Sequence, residues 1–291
     1  MALDSMEEIF EKMEQGPRPF WRVVLETDME ERQVSEEASW ARMRGTWRAM
    51  LSSAESYRGD LRSLSGLVGG DGARMRAFSA KGETLSGPYL QEVIAGALSV
   101  GESNACMRKI VAAPTAGACG VLPAVLVPLY RMGRAAEEEI VQALYVSAGI
   151  GAVIGYRASI AGASGGCQAE IGSASAMAAG ALTALRGGDG AMIGHAAAMA
   201  LKNLMGLICD PVAGLVEVPC VKRNVVGAVN AVSCADMALA GIESRIPVDE
   251  VIDCMGDVGR RMPVEFRETA LGGLAATPFG RSVKEAMENR R

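Results

Sequence analysis

Three short stretches combine residues able to hold an anion, a metal or a reacting group with the glycines and prolines that expose them. Ala112-Ala113-Pro114-Thr115-Ala116-Gly117-Ala118-Cys119-Gly120 places two glycines after a hydroxyl residue, and Pro114 pushes Ala113 out of the α region. Such a turn can aim backbone N–H groups and the Thr115 hydroxyl at a carboxylate, although a plain interhelical turn has the same composition. In Ser164-Gly165-Gly166-Cys167-Gln168-Ala169-Glu170, two glycines ahead of a cysteine permit close backbone approach and leave the sulfur accessible. The third stretch runs from Cys209-Asp210-Pro211 to Pro219-Cys220, two cysteines eleven positions apart. Each proline ends helical geometry, so both thiols lie at the edges of a loop. Lys222, Arg223 and Asn224 follow at once, three polar groups in an apolar neighbourhood.

Thiols of this kind have a limited range of uses. Structural zinc takes four ligands, commonly at the short C-x₂₋₄-C spacing, which is absent. Iron–sulfur clusters are also held by thiolates, and a cubane on three of them keeps one iron open as a Lewis acid. On spacing alone, that reading stands beside the plainer one of seven buried cysteines. Cys106, Cys119, Cys234 and Cys254 sit in helical or turn contexts and are expected to be small buried residues. Imidazole is the side chain best suited to acid–base work near neutral pH, so the only histidine, His195, is a candidate base. Its place between Gly194 and the run Ala196-Ala197-Ala198 reads instead as a structural position in a helix.

The elements that must position these groups are helices. Trp40, Met43, Trp47, Met50 and Leu51 recur as one apolar stripe, with Arg42, Arg44 and Arg48 on other faces. Ser86-Gly87-Pro88 is a start signal for a helix over Leu90–Leu98, and Pro17-Arg18-Pro19, Gly69–Gly72 and Gly187–Gly190 read as breaks. Ile140–Tyr156 contains 17 residues without a charge. That falls short of the roughly 20 needed to span a bilayer, and its glycines at 149, 151 and 155 suit a closely packed buried helix. Gly149-x-Gly151 is not a dinucleotide fingerprint, because no β-branched strand precedes it. Ala191–Cys209, Asn224–Ile242 and Val248–Met262 continue the series, the last with Pro247 at its first position. Period-2 alternation is missing, so the expected fold is all-α. The tail from Arg281 to Arg291 is expected to fray.

Charge is distributed unevenly: residues 1–60 carry 21 acidic or basic side chains, and residues 140–235 carry nine. The reading is one domain over residues 1–291, with amphipathic helices to about residue 100 and an Ala/Gly-rich buried part over about 101–280. With 29 basic against 34 acidic residues there is no electrostatic footprint for nucleic acid. The start Met1–Glu8 lacks the features of a signal peptide, so a reducing cytoplasm with free thiols is expected, with no membrane partner.

The strings Lys109–Gly117, Gly162–Gly172, Cys209–Pro211 and Pro219–Asn224 closely resemble the alpha chain of the iron–sulfur-dependent L-serine dehydratases. The resemblance spans nearly the whole chain, including Phe20-Trp21 and Leu271–Pro278. It implies a helical domain holding a [4Fe–4S] cluster on Cys167, Cys209 and Cys220. The fourth iron would take the hydroxyl of L-serine, and loss of water would give pyruvate and ammonia without pyridoxal phosphate. Thr115, Gly117, Ser164, Gly165 and Gly166 would hold the substrate, with Lys222, Arg223 and Asn224 nearby.

Two departures from the family pattern stand out. Met107-Arg108 occupies the place where the family commonly has Met-Gly. The chain also lacks the additional N-terminal domain and the C-terminal cysteine of single-chain relatives, which implies a two-subunit form with a separate beta chain that carries the base. The alternatives are an iron–sulfur lyase acting on L-cysteine or L-threonine, and a non-catalytic helical subunit whose cysteines only pack.

Overall fold

The computed structural model describes residues 3–16 and 18–289, and these contain thirteen α-helices and no β-strand, which is the expected all-α class. Polar caps start the N-terminal helices. The Ser5 hydroxyl accepts from the Glu8 N–H at 3.0 Å to open α1 (Met6–Glu14). Arg18 and Pro19 separate it from α2 (Phe20–Arg32); Pro17 of the expected break lies outside the described residues. Ser35 caps α3 (Glu36–Glu55). Of its apolar stripe, Trp47 and Met50 are fully buried, and Trp40, Met43 and Leu51 pack partly buried against them.

After α4 (Asp71–Ser79), α5 (Pro88–Ala105) begins at the expected proline and runs on past Leu98. It ends with Met107 at φ 58° and the Arg108 N–H reaching back to Ser103 O at 2.8 Å. The left-handed position therefore falls on Met107, and Arg108 needs no glycine. Next come α6 (Val121–Arg131), α7 (Glu137–Arg157), the single turn α8 (Gly162–Gly165), a π-turn (Gln168–Gly172) and α9 (Ser173–Leu185).

Helix α9 is the centre of the molecule. Every residue from Ser173 to Thr183 is buried, as a helix apolar on all sides requires, and it packs against α6 and α7. A Cβ at Gly180 would lie 2.2 Å from Ile150 Cδ1, so only glycine lets α7 approach so closely. Among the described residues α7 is the one helix long and apolar enough to cross a membrane, and most of it is buried in this packing. Four more helices complete the fold: α10 (Gly190–Leu204), α11 (Cys220–Leu239), α12 (Val248–Arg261) and α13 (Pro278–Glu288). The N-terminal helices lie directly on this centre: α1 packs on α10 and α12, and α2 on α7.

Several boundaries differ from expectation, and each has a local cause. α10 stops at Leu204, where Gly206 at φ 85° turns the chain, so Cys209 is in a loop. α11 starts at Cys220, so Lys222, Arg223 and Asn224 occupy its first turns. Pro247 precedes the first residue of α12 instead of supplying it. The tail does not fray at Arg281, because the Thr277 hydroxyl caps α13 through the Gly280 N–H; Arg290 and Arg291 lie outside the described residues.

Candidate metal centre

Three backbone devices deliver the three cysteines. Gly166 adopts φ 74°, and a Cβ there would lie 2.7 Å from Met262 Sδ and 3.0 Å from Leu207 O. That reversal sets Cys167 at the head of the π-turn, a helical irregularity common at functional sites. The Gln168 side chain then donates to Met255 O at 3.2 Å and accepts from the Gly206 N–H at 2.7 Å, fixing the loop that carries Cys209. Cys209 is held by its own backbone, donating to Phe266 O at 2.8 Å and accepting from the Glu268 N–H at 2.9 Å. Cys220 opens α11 directly after Pro219.

These devices bring Cys167 Sγ, Cys209 Sγ and a Glu170 carboxylate oxygen within 4.8 Å of one another. All three cysteines are buried and free of disulfides. Cys220 stands close enough for charge on Cys167 to be felt, and burial first, then that charge and Glu170, push its thiol up to about 12. The neighbouring Cys209 thiol lowers the pKa of Cys167, helped by the Arg223 charge against the effect of burial, and the nearness of Cys167 raises Cys209, with burial reinforcing. Glu170 is raised, mainly by burial, with the Thr115 hydroxyl opposing and Glu268 reinforcing.

Two glycines shape the wall around the carboxylate. A Cβ at Gly162 would lie 2.9 Å from Glu170 Oε2 and 3.2 Å from Cys209 Sγ, and one at Gly117 would lie 3.2 Å from Glu170 Oε2. Both positions hold open a cradle that any side chain would fill. Thr115 Oγ1 is buried beside Glu170 without a well-formed hydrogen bond, an orphaned polar atom on the same wall. Soft thiols grouped with a carboxylate and no imidazole form a donor set suited to iron–sulfur or another thiophilic metal chemistry.

The remaining expected site residues divide into those at this cluster and those elsewhere. Thr115 and Gly117 are at it. Ser164 is exposed, and Gly165 is packed on α12, where a Cβ at Gly259 would meet its Cα at 2.9 Å. Lys222 points outward, its side chain 70% exposed and paired with Asp71 at 3.1 Å. Asn224 bridges backbone: it donates to Gly117 O at 2.8 Å and Cys220 O at 3.0 Å and accepts from the Gly120 N–H at 2.8 Å. It thereby ties the Thr115 turn to the start of α11. Arg223 also bonds protein groups, Ile208 O and Asp210, each at 2.8 Å. His195, half-buried near the start of α10, lines a separate cavity of about 650 Å³ with Glu7, Arg157 and Asp249.

Among the four other cysteines, Cys119 and Cys234 are core residues as expected. Cys106 is only half-buried and Cys254 is exposed, a correction explained by the α12 stripe of Val248, Val251, Ile252 and Met255, which turns Cys254 outward. Sequence reasoning gave no role to Glu170 or Asp210. The available signal was their rarity in a charge-poor region, one helical turn beyond Cys167 and immediately after Cys209.

Comparison with known proteins bears on this geometry. A family model described as "Serine dehydratase alpha chain" matches residues 17–275. The chain is 45% identical over 263 residues to the "Probable L-serine dehydratase, alpha chain" of Bacillus subtilis (strain 168), covering 90% of this chain and 88% of that one. It is 40% identical over 284 residues to the "L-serine dehydratase, alpha chain" of Peptoniphilus asaccharolyticus, with 97% of each chain covered. To the "L-serine dehydratase TdcG" of Escherichia coli (strain K12) it is 46% identical over 181 residues, 62% of this chain but 40% of that one.

Proposed function

The chain belongs to the serine dehydratase alpha-chain family, and from that premise we propose that it is a lyase subunit that removes water from L-serine to give pyruvate and ammonia. The observation that carries the reading is the convergence of Cys167 and Cys209 with Glu170 within 4.8 Å, inside the span matched by the family; Cys220, buried at the start of α11, lies outside that group of three. The cofactor proposed is a [4Fe–4S] cluster held by Cys167, Cys209 and Cys220. The thiol donor set, the side-chain-free wall at Gly117 and Gly162 and the orphaned Thr115 hydroxyl all support it. When bound, such a cluster supplies Lewis acidity that helps a hydroxide leaving group depart.

The chain's own residues then bind and orient. Thr115, whose hydroxyl is without a partner, and the backbone at Gly117 take the substrate carboxylate. The Asn224 clamp keeps that turn in place through Gly117 O and the Gly120 N–H. The Glu170 carboxyl, between the two glycine walls, receives the substrate's amino group. Loss of the Cα proton and the β-hydroxyl leaves an enamine, whose tautomer takes up water and releases ammonia. Burial of the cysteines and Glu170 keeps bulk water from competing for the site. A beta chain is proposed as partner and as the source of the proton-abstracting base. Supporting this, the Bacillus subtilis and Peptoniphilus asaccharolyticus relatives are named as alpha chains, and TdcG carries a large region beyond the part matched here. The setting proposed is the cytoplasm, on the strength of seven free cysteines.

The test is anaerobic reconstitution with iron and sulfide, in the presence of the beta chain, followed by assay of the 2-oxoacid product: pyruvate from L-serine and L-cysteine, 2-oxobutyrate from L-threonine. Pyruvate from L-serine at the highest kcat/KM supports the proposal. Absence of bound iron together with absence of product refutes it.

A further inference from the structure

One side chain ties together two of the cysteine-bearing segments. Arg223 stands on α11 one turn after Cys220. Its guanidinium donates to Ile208 O and to Asp210 Oδ1, both at 2.8 Å, and so brackets Cys209 from the residue before it and the residue after it. Its positive charge also acts on the Cys167 thiol, favouring the thiolate. The other Asp210 oxygen accepts from the Leu274 N–H at 2.8 Å, which fastens the C-terminal wrap over Cys209. That wrap requires a glycine at 273: φ is 58° there, and a Cβ would lie 2.4 Å from Asp210 Oδ2. The ion pair is shielded from water, its side chains 14% and 2% exposed, so its charges are weakly screened.

We propose that Asp210 and Arg223 form a positioning pair that holds the Cys209 and Cys220 segments in register, and that their opposite charges set the reduction potential of the bound cluster in opposite directions. This rests on the iron–sulfur reading of the site. Hydrogen bonds to cluster-ligating sulfurs and the local net charge are the means by which a protein tunes such a potential. Arg223 supplies positive charge beside Cys209 and felt at Cys167, and Asp210 limits that charge and fixes its direction. The pair thus acts through the cysteines and touches no substrate atom.

The experiment compares wild type with Arg223→Lys, Arg223→Gln and Asp210→Asn, each reconstituted anaerobically. Iron and sulfide per chain, iron release to a chelator and the midpoint potential are measured; circular dichroism of the metal-free chains checks folding. All three variants should release iron several-fold faster. Arg223→Gln should shift the potential to more negative values, Asp210→Asn to more positive ones, and Arg223→Lys should leave it near wild type. A packing role alone would give no such opposition of sign. If Arg223→Gln does not fold, the positive shift of Asp210→Asn against an unshifted Arg223→Lys decides the matter. Shifts in one common direction, or wild-type potential and iron release throughout, overturn the pair's role while leaving the cluster assignment standing. A wild type that takes up no iron and sulfide overturns the site reading, and the pair's role with it.

Discussion

The N-terminal helices and the buried centre use charge in opposite ways. Arg18, Arg22, Glu26 and Glu36 form a network at 2.6–2.9 Å, yet each of these side chains is 30–42% exposed. Ion pairs of that kind contribute about 0–1 kcal/mol each, because solvent and salt screen them. What holds this region is instead aromatic and aliphatic burial: Trp47 is fully enclosed, with Tyr130 edge-on at 5.5 Å, and Trp21 and Trp40 meet at 5.9 Å. The centre has few charges, and several of its buried polar groups fasten backbone. Glu217 accepts from the Ser65 N–H, Asp210 from the Leu274 N–H, Arg223 donates to Ile208 O, and the uncharged Asn224 joins two segments over 100 residues apart. A polar group in a low-dielectric interior needs a partner, so its position is specified more tightly than any surface pair. The density of charge marks the solvated helices; the placement of a few charges marks the site.

The sharpest break between the two regions is chemical. Cys167→Ala, Cys209→Ala and Cys220→Ala should each abolish the cluster and with it pyruvate formation, while Cys254→Ala, exposed on α12, keeps full iron and sulfide. Anaerobic iron and labile-sulfide analysis checks this, and a full cluster in all three ligand variants would falsify the assignment. Trp47→Ala works in the reverse sense. It should lower unfolding stability by about 3–5 kcal/mol, as expected for emptying a fully buried aromatic site, with no change in iron per folded chain. Denaturant titration of the metal-free chain measures the first effect and reconstitution the second. Loss of iron uptake would show that the N-terminal helices are part of the site. Next in size is Glu170→Gln. Removing one charge-assisted hydrogen bond of about 1.5–3 kcal/mol should reduce kcat/KM for L-serine roughly 10- to 100-fold, with cluster content intact. An unchanged kcat/KM would remove Glu170 from substrate binding.

How far the site was legible in the sequence follows from the same contrast. The cysteines could be found because glycine and proline punctuate the chain around them, and these act locally: Gly166 at φ 74° and Pro219 before α11 need no tertiary information. The helical class was legible for a similar reason, from periodicity and caps. Glu170 was not, since its importance depends on Gly117 and Gly162 arriving from elsewhere to wall it in. Lys222 groups with Arg223 and Asn224 in sequence because the three are consecutive polar residues in an apolar stretch. With the helix beginning at Cys220, about 100° per residue turns Lys222 some 200° away from the cysteine. Arg223 and Asn224 come back to its side. Adjacency in sequence therefore does not separate a solvent-facing lysine from its site-facing neighbours; the helix phase does.

The smallest predicted effect tests the claim about surface charge directly. Arg48 pairs with Glu137 at 3.1 Å across α3 and α7, joining the charged region to the centre, but its side chain is 66% exposed. If ion pairs held the N-terminal helices in place, Arg48→Ala would be costly, because it bridges two elements that must stay together for Trp40 to pack on Tyr145. If apolar burial holds them, the loss is that of one screened pair, no more than about 1 kcal/mol and smaller still in 1 M salt. The expected result is a denaturation midpoint nearly equal to wild type, with the difference vanishing as salt is raised. A salt-independent loss as large as that of Trp47→Ala would mean that the α3–α7 contact depends on this charge, and that the two regions do not differ as described.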